Sequence, residues 1–251
     1  MILSRCSVDD ALALTGGDPF LRSQLRYGSG PAWASAGAVA VVGLDLEERI
    51  RQLSGLPHGP DSPRETAALV TEVIREVPEI PRITVPCTAA PYLPAGLLAS
   101  SNDWNFRSTT APPPHQPGQE AARWLAAEEE AGVRELLTMA NPESSAWPGD
   151  AKVARWAGIR GANGQLVACL ADTSGPGVGH LSGIATHPRA RGRGLGAAIT
   201  AWATRYLLAE HVELVTLGLY ADNDAAHRLY SRLGFRDDHR FTSGPVNREP
   251  R

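Results

Sequence analysis

The chain has little of several things, and each shortage removes a class of protein. Its 251 residues hold three cysteines, Cys6, Cys87 and Cys169, odd in number, far apart and without a C-x-x-C pair. That pattern argues against a disulfide framework and against a cysteine-based zinc site. It fits a reduced, cytoplasmic setting in which the thiols act as small buried apolar groups. Lys152 is the sole lysine among 24 basic residues, set against 27 acidic ones, for a net charge of −3. No broad basic face for nucleic acid is therefore expected. The longest apolar run, Pro31–Leu44, is too short to cross a bilayer as a helix. The opening MILSRCSVDDALALTGG lacks the basic start and long apolar stretch of a signal peptide. No nucleic-acid partner, no membrane and no metal are expected.

Proline, by contrast, is concentrated. Ser108–Gln119 reads STTAPPPHQPGQ, which supports neither a helix nor a central strand and stiffens toward polyproline II. Read as a linker, residues 111–118 divide an N-terminal domain (1–110) from a C-terminal one (119–251). In the first, Trp33–Leu44 reads as one or two buried strands. Pro63–Val77 reads as a helix with Ala67, Val70, Val73 and Ile74 on one face, capped by Asp61 or Ser62. Arg82–Cys87 and Trp104–Thr109 read as strands and Pro94–Ser100 as a helical turn.

After the linker come a short strand at Ala121–Leu125 and a helix at Glu128–Ala140. Val153–Arg160 and Gln165–Asp172 flank Gly161-Ala162-Asn163-Gly164, a hairpin signal. A strand over His180–Thr186 leads to a helix over Gly194–Ala209 with Leu195, Ile199, Trp202 and Tyr206 on one face. A strand over Val212–Tyr220 and a helix over Asp224–Leu233 follow, with Gly234 just past the helix end. Phe235 and Phe241 suggest one more strand.

The chemistry concentrates in Arg191-Gly192-Arg193-Gly194-Leu195-Gly196, between an apolar strand and an amphipathic helix. A helix start offers unpaired N–H groups and partial positive charge, glycines let a phosphate approach them, and Arg189, Arg191 and Arg193 add charge. The dinucleotide and P-loop fingerprints are both absent. A tight turn with solvated arginines is the plain alternative.

His180–Phe235 resembles the acetyl-CoA-binding half of the GCN5-related N-acetyltransferase (GNAT) family. The likeness rests on GIATHP, then R-x-x-G-x-G as RGRGLG, then VTLGLY and ADNDAAHRLYSRLGF, in that order. It covers about residues 120–242 and is silent on residues 1–110. It implies an α/β fold with a mixed, mainly antiparallel sheet, preceded by a smaller α/β domain that could be a degenerate second copy. That domain could shape the acceptor pocket or mediate homodimerisation.

The resemblance implies an acyltransferase that moves acetyl from acetyl-CoA to a primary amine of a small molecule or protein by direct attack. A non-catalytic acyl-CoA-binding module and an enzyme with a longer acyl donor are the alternatives. The backbone of Ile184, Ala185 and Thr186 would pair with pantetheine. The N–H groups of Gly192, Arg193, Gly194, Leu195, Gly196 and Ala197 would cradle the pyrophosphate, with the Arg191 and Arg193 side chains alongside. Asn223 would bond the pantetheine arm. Tyr230, near the sulfur, would protonate the leaving thiolate, where the plain alternative is a core aromatic. A backbone N–H of Gly183–Thr186 would hold the oxyanion.

The sequence departs from the family in one respect: the strand before the glycine turn carries no carboxylate, only His180, Ser182 and Thr186. His180, Asp172 or a water chain is left to act as base. Trp147, Asp172 and Ser182 are expected at the acceptor, with Glu143 or Asp150 attracting a cationic amine.

Overall fold

Two parallel β-α-β crossovers organise the chain, one in each of two compact units. The computed structural model describes residues 4–59 and 62–248. Unit one holds the described residues up to Phe106, then Leu219–Asp222 and the chain from Asp238 onward; unit two holds Arg107–Gly218 and Asn223–Asp237.

Unit one begins with β1 (Ser4–Cys6), α1 (Val8–Leu14) and α2 (Pro19–Gln24). The Ser7 hydroxyl accepts from the Asp10 N–H and the Asp10 carboxylate accepts from the Ser7 N–H, a capping box that starts α1. Asp18 caps α2 by accepting from the N–H groups of Phe20 and Leu21. Next come β2 (Ser29–Ala34), β3 (Ala38–Leu44), β4 (Ile50–Pro57), α3 (Ser62–Glu76), β5 (Arg82–Pro86) and β6 (Asn102–Thr109), which runs on into unit two. The expected buried stretch at 33–44 is thus a hairpin of β2 and β3. Ser62 is the first residue of α3, and Asp61 lies outside the described residues. Pro94–Ser100 forms turns rather than helix; the short 3-10 helix lies earlier, at Ala90–Tyr92.

Unit two contains β7 (Arg123–Trp124), α4 (Glu130–Ala140), β8 (Arg155–Arg160), β9 (Leu166–Asp172), β10 (Val178–Thr186), α5 (Leu195–Ala209), β11 (Leu214–Tyr220, its last two residues in unit one) and α6 (Asp224–Arg232). Its strands run β11-β10-β9-β8-β7, antiparallel except for β10 and β11. Under α4 lies a core of Val133, Leu136, Leu137, Trp156, Cys169, Ala171 and Ala185. The proline-rich stretch belongs to this unit: Pro113 is buried, and its carbonyl accepts from Arg205 of α5 at 2.8 Å.

After α6 the chain forms β12 (Arg236–Pro245), which joins unit one. There β12 pairs antiparallel with β5, from Phe241 opposite Pro86 to Pro245 opposite Arg82. The strand order of unit one is β1-β2-β3-β4-β5-β12-β6, with β4 and β5 parallel. The two units repeat one pattern: a short strand, helix (two short helices in unit one), three antiparallel strands, a crossover helix and a parallel strand.

The face expected of α5 is partly wrong. Its buried residues are Ala197, Ala198, Ile199, Thr200, Ala201, Ala203, Thr204 and Leu207. Small residues let the helix lie close to the sheet. Trp202 and Tyr206 instead stack with each other and with Trp124 of β7, and the Arg155 guanidinium lies 4.0 Å from the Trp124 ring centroid.

Candidate functional site

Gly192 and Gly194 take left-handed φ values of +78° and +79°, a conformation that favours glycine. They carry the chain from a 3-10 turn at Pro188–Ala190 into α5, with Gly194 at the N-cap. The first bond of the α5 ladder runs from the Ala198 N–H to the Gly194 carbonyl. The N–H groups of Leu195, Gly196 and Ala197 therefore precede that ladder, at the positive end of a 15-residue helix. Space beside Gly192 and Gly194 is open. Arg193 is exposed, while Arg191 is anchored by donating to the Ala140 and Thr186 carbonyls.

The strand before this turn is deformed. β10 opposes β9 from Leu181 to Thr186, but the register slips between Ser182 and Ala185, and Gly183 sits there at φ +55°. This is a β-bulge, which bends the strand and increases its twist. On the other side of β10, the register with β11 runs from Val178↔Leu214 to Leu181↔Leu217 and stops, although β10 continues to Thr186. Among the described residues, the edge of β10 from Ser182 to Thr186 that faces β11 is left outside that register.

The bulge also sorts side chains by face. Ser182 opposes Ala171, which lies in the core under α4, and Ser182 therefore faces that side. A Cβ added at Gly183 would meet the Trp156 ring at 3.1 Å and the Ser144 hydroxyl at 3.2 Å. The loop after α4 thus closes directly on the bulge. Its Trp147 is half-buried, with the indole N–H donating to the Ser144 carbonyl at 2.9 Å and the backbone N–H to Asp150 at 2.9 Å. Glu143 is exposed.

Asp172 lies on the other face. It opposes Leu181 and Arg155, accepts from the Arg155 Nε at 3.0 Å and is also bonded by the Ser174 hydroxyl and N–H. Buried and fully engaged, it is separated by the sheet from Trp147 and Ser182, beside which it was expected.

His180 opposes Thr216 in the parallel register, and its Nδ1 lies 2.7 Å from the Thr216 hydroxyl. That hydroxyl donates to the Gly179 carbonyl at 3.0 Å. A hydroxyl has one proton, so in this arrangement Nδ1 carries the imidazole proton and Nε2 is the basic nitrogen. The Ser182 hydroxyl pairs with that of Thr173 at 3.0 Å.

Asn223 caps α6, its side-chain oxygen accepting from the Ala226 N–H at 3.1 Å. Its amide NH₂ is the group suited to a ligand carbonyl. Tyr230, two residues before the end of α6, is buried beside Phe235, with ring centroids 5.9 Å apart. Burial pushes its phenol well above the usual tyrosine value, opposed by the charge of Arg107. The Tyr230 hydroxyl therefore keeps its proton at neutral pH. Sequence reasoning missed Arg107, Thr216 and the bulge; only the bulge had a signal, a glycine inside a strand pattern.

A strand bulge, strands that part company and a glycine turn opening a helix thus follow one another between β9 and α5. Residues 106–235, just over half of the chain, match the profile of the Acetyltransferase (GNAT) family, and the chain belongs to that family. A mycothiol acetyltransferase from Mycobacteroides abscessus is 42% identical over 60 residues, which are 24% of this chain and 20% of that protein. The matched stretch thus spans about a fifth of such relatives. Among solved structures, a GCN5-related N-acetyltransferase from Kribbella flavida aligns with TM-score 0.56 at 19% identity, covering 95% of this chain and 96% of its own. Another from Sphaerobacter thermophilus gives 0.56 at 17%, covering 99% and 96%. These two show the fold alone. Among the described residues, no helix is long and apolar enough to cross a membrane.

Proposed function

We propose that the protein transfers acetyl from acetyl-CoA to a primary amine by direct attack. The parting of β10 from β11 next to the glycine turn carries this reading. The turn is suited to the pyrophosphate through the N–H groups of Gly192–Ala197, aided by Arg193. The free edge at Ile184–Thr186 is suited to pantetheine. The residues fit the ligand: the space beside Gly192 and Gly194 that a side chain would fill is open.

The reaction needs three things from this chain. A backbone N–H at the bulge receives the oxyanion as the amine adds to the thioester carbonyl. Tyr230 gives its proton to the departing thiolate. His180 Nε2 takes a proton from the amine, directly or through water, with its tautomer set by Thr216. Trp156 and Ser144 crowd the α4 side of Gly183, which favours a short acyl group over a long one. The relatives' name, mycothiol acetyltransferase, supports acetyl as the group transferred. Because the likeness covers a fifth of their length, it supports the donor rather than the acceptor. The half-buried Trp147 and exposed Glu143 suit a cationic amine. Three free cysteines suit a reducing, cytoplasmic compartment.

Unit one we read as a second copy of the same fold, since it repeats the strand and crossover order of unit two. The non-catalytic reading has one observation in its favour: Asp172, the carboxylate beside β10, is locked in an ion pair.

Calorimetric titration with acetyl-CoA and a CoA-release assay over amines, amino acids, aminoglycosides and peptides test the proposal. Saturable binding at micromolar to sub-millimolar concentration, weakened more than about tenfold by Gly194→Val, is expected. Binding without turnover of any amine, and no effect of Tyr230→Phe, would replace it with the non-catalytic reading.

A further inference from the structure

Arg107 presents a physical puzzle. It lies on β6, 4% exposed, and its Nε is buried without a partner among the described residues. A buried guanidinium is costly to keep, and an apolar residue of similar size would often serve stability as well. What it contacts is α6 and the first turn of chain beyond it, at the start of β12. Its Nη1 donates to the Ser231 hydroxyl at 2.7 Å and to the His227 carbonyl at 3.4 Å. Its Nη2 donates to His227 Nδ1 at 3.1 Å, and Asp237 lies 3.4 Å from the same nitrogen. Arginine has no acceptor, so His227 Nδ1 must be the unprotonated nitrogen. His227 and Ser231 lie one turn apart on α6 and bracket Tyr230.

We propose that Arg107 is the positioning residue for Tyr230, fixing the turn of α6 that carries the phenol and bringing its guanidinium charge to that turn. The inference rests on the reading of Tyr230 as the proton donor. In the step concerned, the carbon–sulfur bond breaks, the sulfur keeps the electron pair, and the Tyr230 O–H proton moves to it. A phenolate is left, later reprotonated by solvent or by the proton lost from the amine. Burial opposes that phenolate, and the Arg107 charge offsets the opposition. A lysine could supply the charge but not the fork that holds the His227 and Ser231 sites together.

The test is a double-mutant cycle on the full chain. Turnover is read as CoA released from acetyl-CoA with the fastest amine of the panel, or by hydrolysis to acetate if no amine outpaces water. Tyr230→Phe is expected to lower kcat about 100-fold. Arg107→Gln is expected to lower kcat about 10-fold or more, with the KM for acetyl-CoA within about twofold of the native chain. In the Tyr230→Phe background, Arg107→Gln should cost less than about twofold, because the group it serves is gone. Ser231→Ala, which keeps the charge, should show a smaller version of the same dependence. Acetyl-CoA calorimetry on each variant confirms a folded site. Equal losses with and without the Tyr230 hydroxyl would overturn the proposal and make Arg107 a structural residue. An unchanged kcat in Tyr230→Phe alone would overturn the reading of Tyr230 itself, and the inference with it.

Discussion

Gly183 shows how little room the bulge allows. With φ at +55° and a Cβ position only 3.1 Å from the Trp156 ring, Gly183→Ala would add backbone strain to a steric clash. Strain of this kind costs about 1–3 kcal/mol. The variant should melt lower and release CoA at least about tenfold more slowly. Native stability with native turnover would show that the bulge geometry is not needed.

A second residue reports on pH. Burial pushes the Cys169 thiol up to about 12, whereas the unfolded thiol ionises near the ordinary value. The folded value is the raised one, so the contribution is fully present below the unfolded pKa and is lost as pH rises toward 12. Urea unfolding from about pH 9 upward should show stability falling by at most about 1.4 kcal/mol per pH unit from this group. Cys169→Ala should remove that slope. A thiol reagent at pH 8 should also spare Cys169 in the native protein; rapid labelling there would contradict the burial.

At the scale of elements, β12 links the fate of unit one to the chain end. It fills the place beside β5 that no other described strand takes. A chain cut after Phe235 exposes the β5 edge and removes Phe241 from the core that it shares with Phe20 and Phe106. Limited proteolysis should then digest unit one at concentrations that spare the full chain; a resistant unit one would show that β12 is dispensable. The cap of α2 is a gentler probe. Asp18 also meets His239 of β12, 2.6 Å from its Nε2. Asp18→Ala should cost about 1–2 kcal/mol by chemical denaturation, the usual worth of an N-cap. No change would mean that water replaces both bonds.

Much at this scale was legible in the sequence. The Asn-Gly hairpin, the α3 periodicity and the order from β10 to α6 all follow from local spacing. The segment 50–57 was not read as a strand, because Arg51, Gln52 and Ser54 break the apolar pattern. These side chains are held in polar contacts, Arg51 and Gln52 with Gln24 and Ser54 with Gln52, which only the folded chain provides. The start of α1 was readable in principle, from Ser7 and Asp10 three apart, yet seven residues give too little periodicity to raise it.

For the molecule as a whole, ligand binding and stability are linked. If acetyl-CoA binds the folded chain alone, then at 100 times its Kd it stabilises by about 2.7 kcal/mol. A thermal scan should rise with the logarithm of ligand concentration, and Gly194→Val should flatten that rise. A melting temperature indifferent to acetyl-CoA would count against the glycine turn as its site.

The sequence by itself determined the order of elements in unit two, the glycine turn and the family, because these depend on short-range spacing and on backbone freedom at particular glycines. It also placed Tyr230 within the helix that became α6, as the family resemblance implies. Only the tertiary structure decided which polar groups are spoken for. Asp172 and His180 are eight residues apart in sequence, yet one is bound in an ion pair with Arg155 and the other has its tautomer set by Thr216. Arg107, 123 residues before Tyr230, could be tied to α6 by no local pattern. Alternation, bulges and strand pairing convert sequence distance into facing direction, and no window of neighbouring residues contains that information.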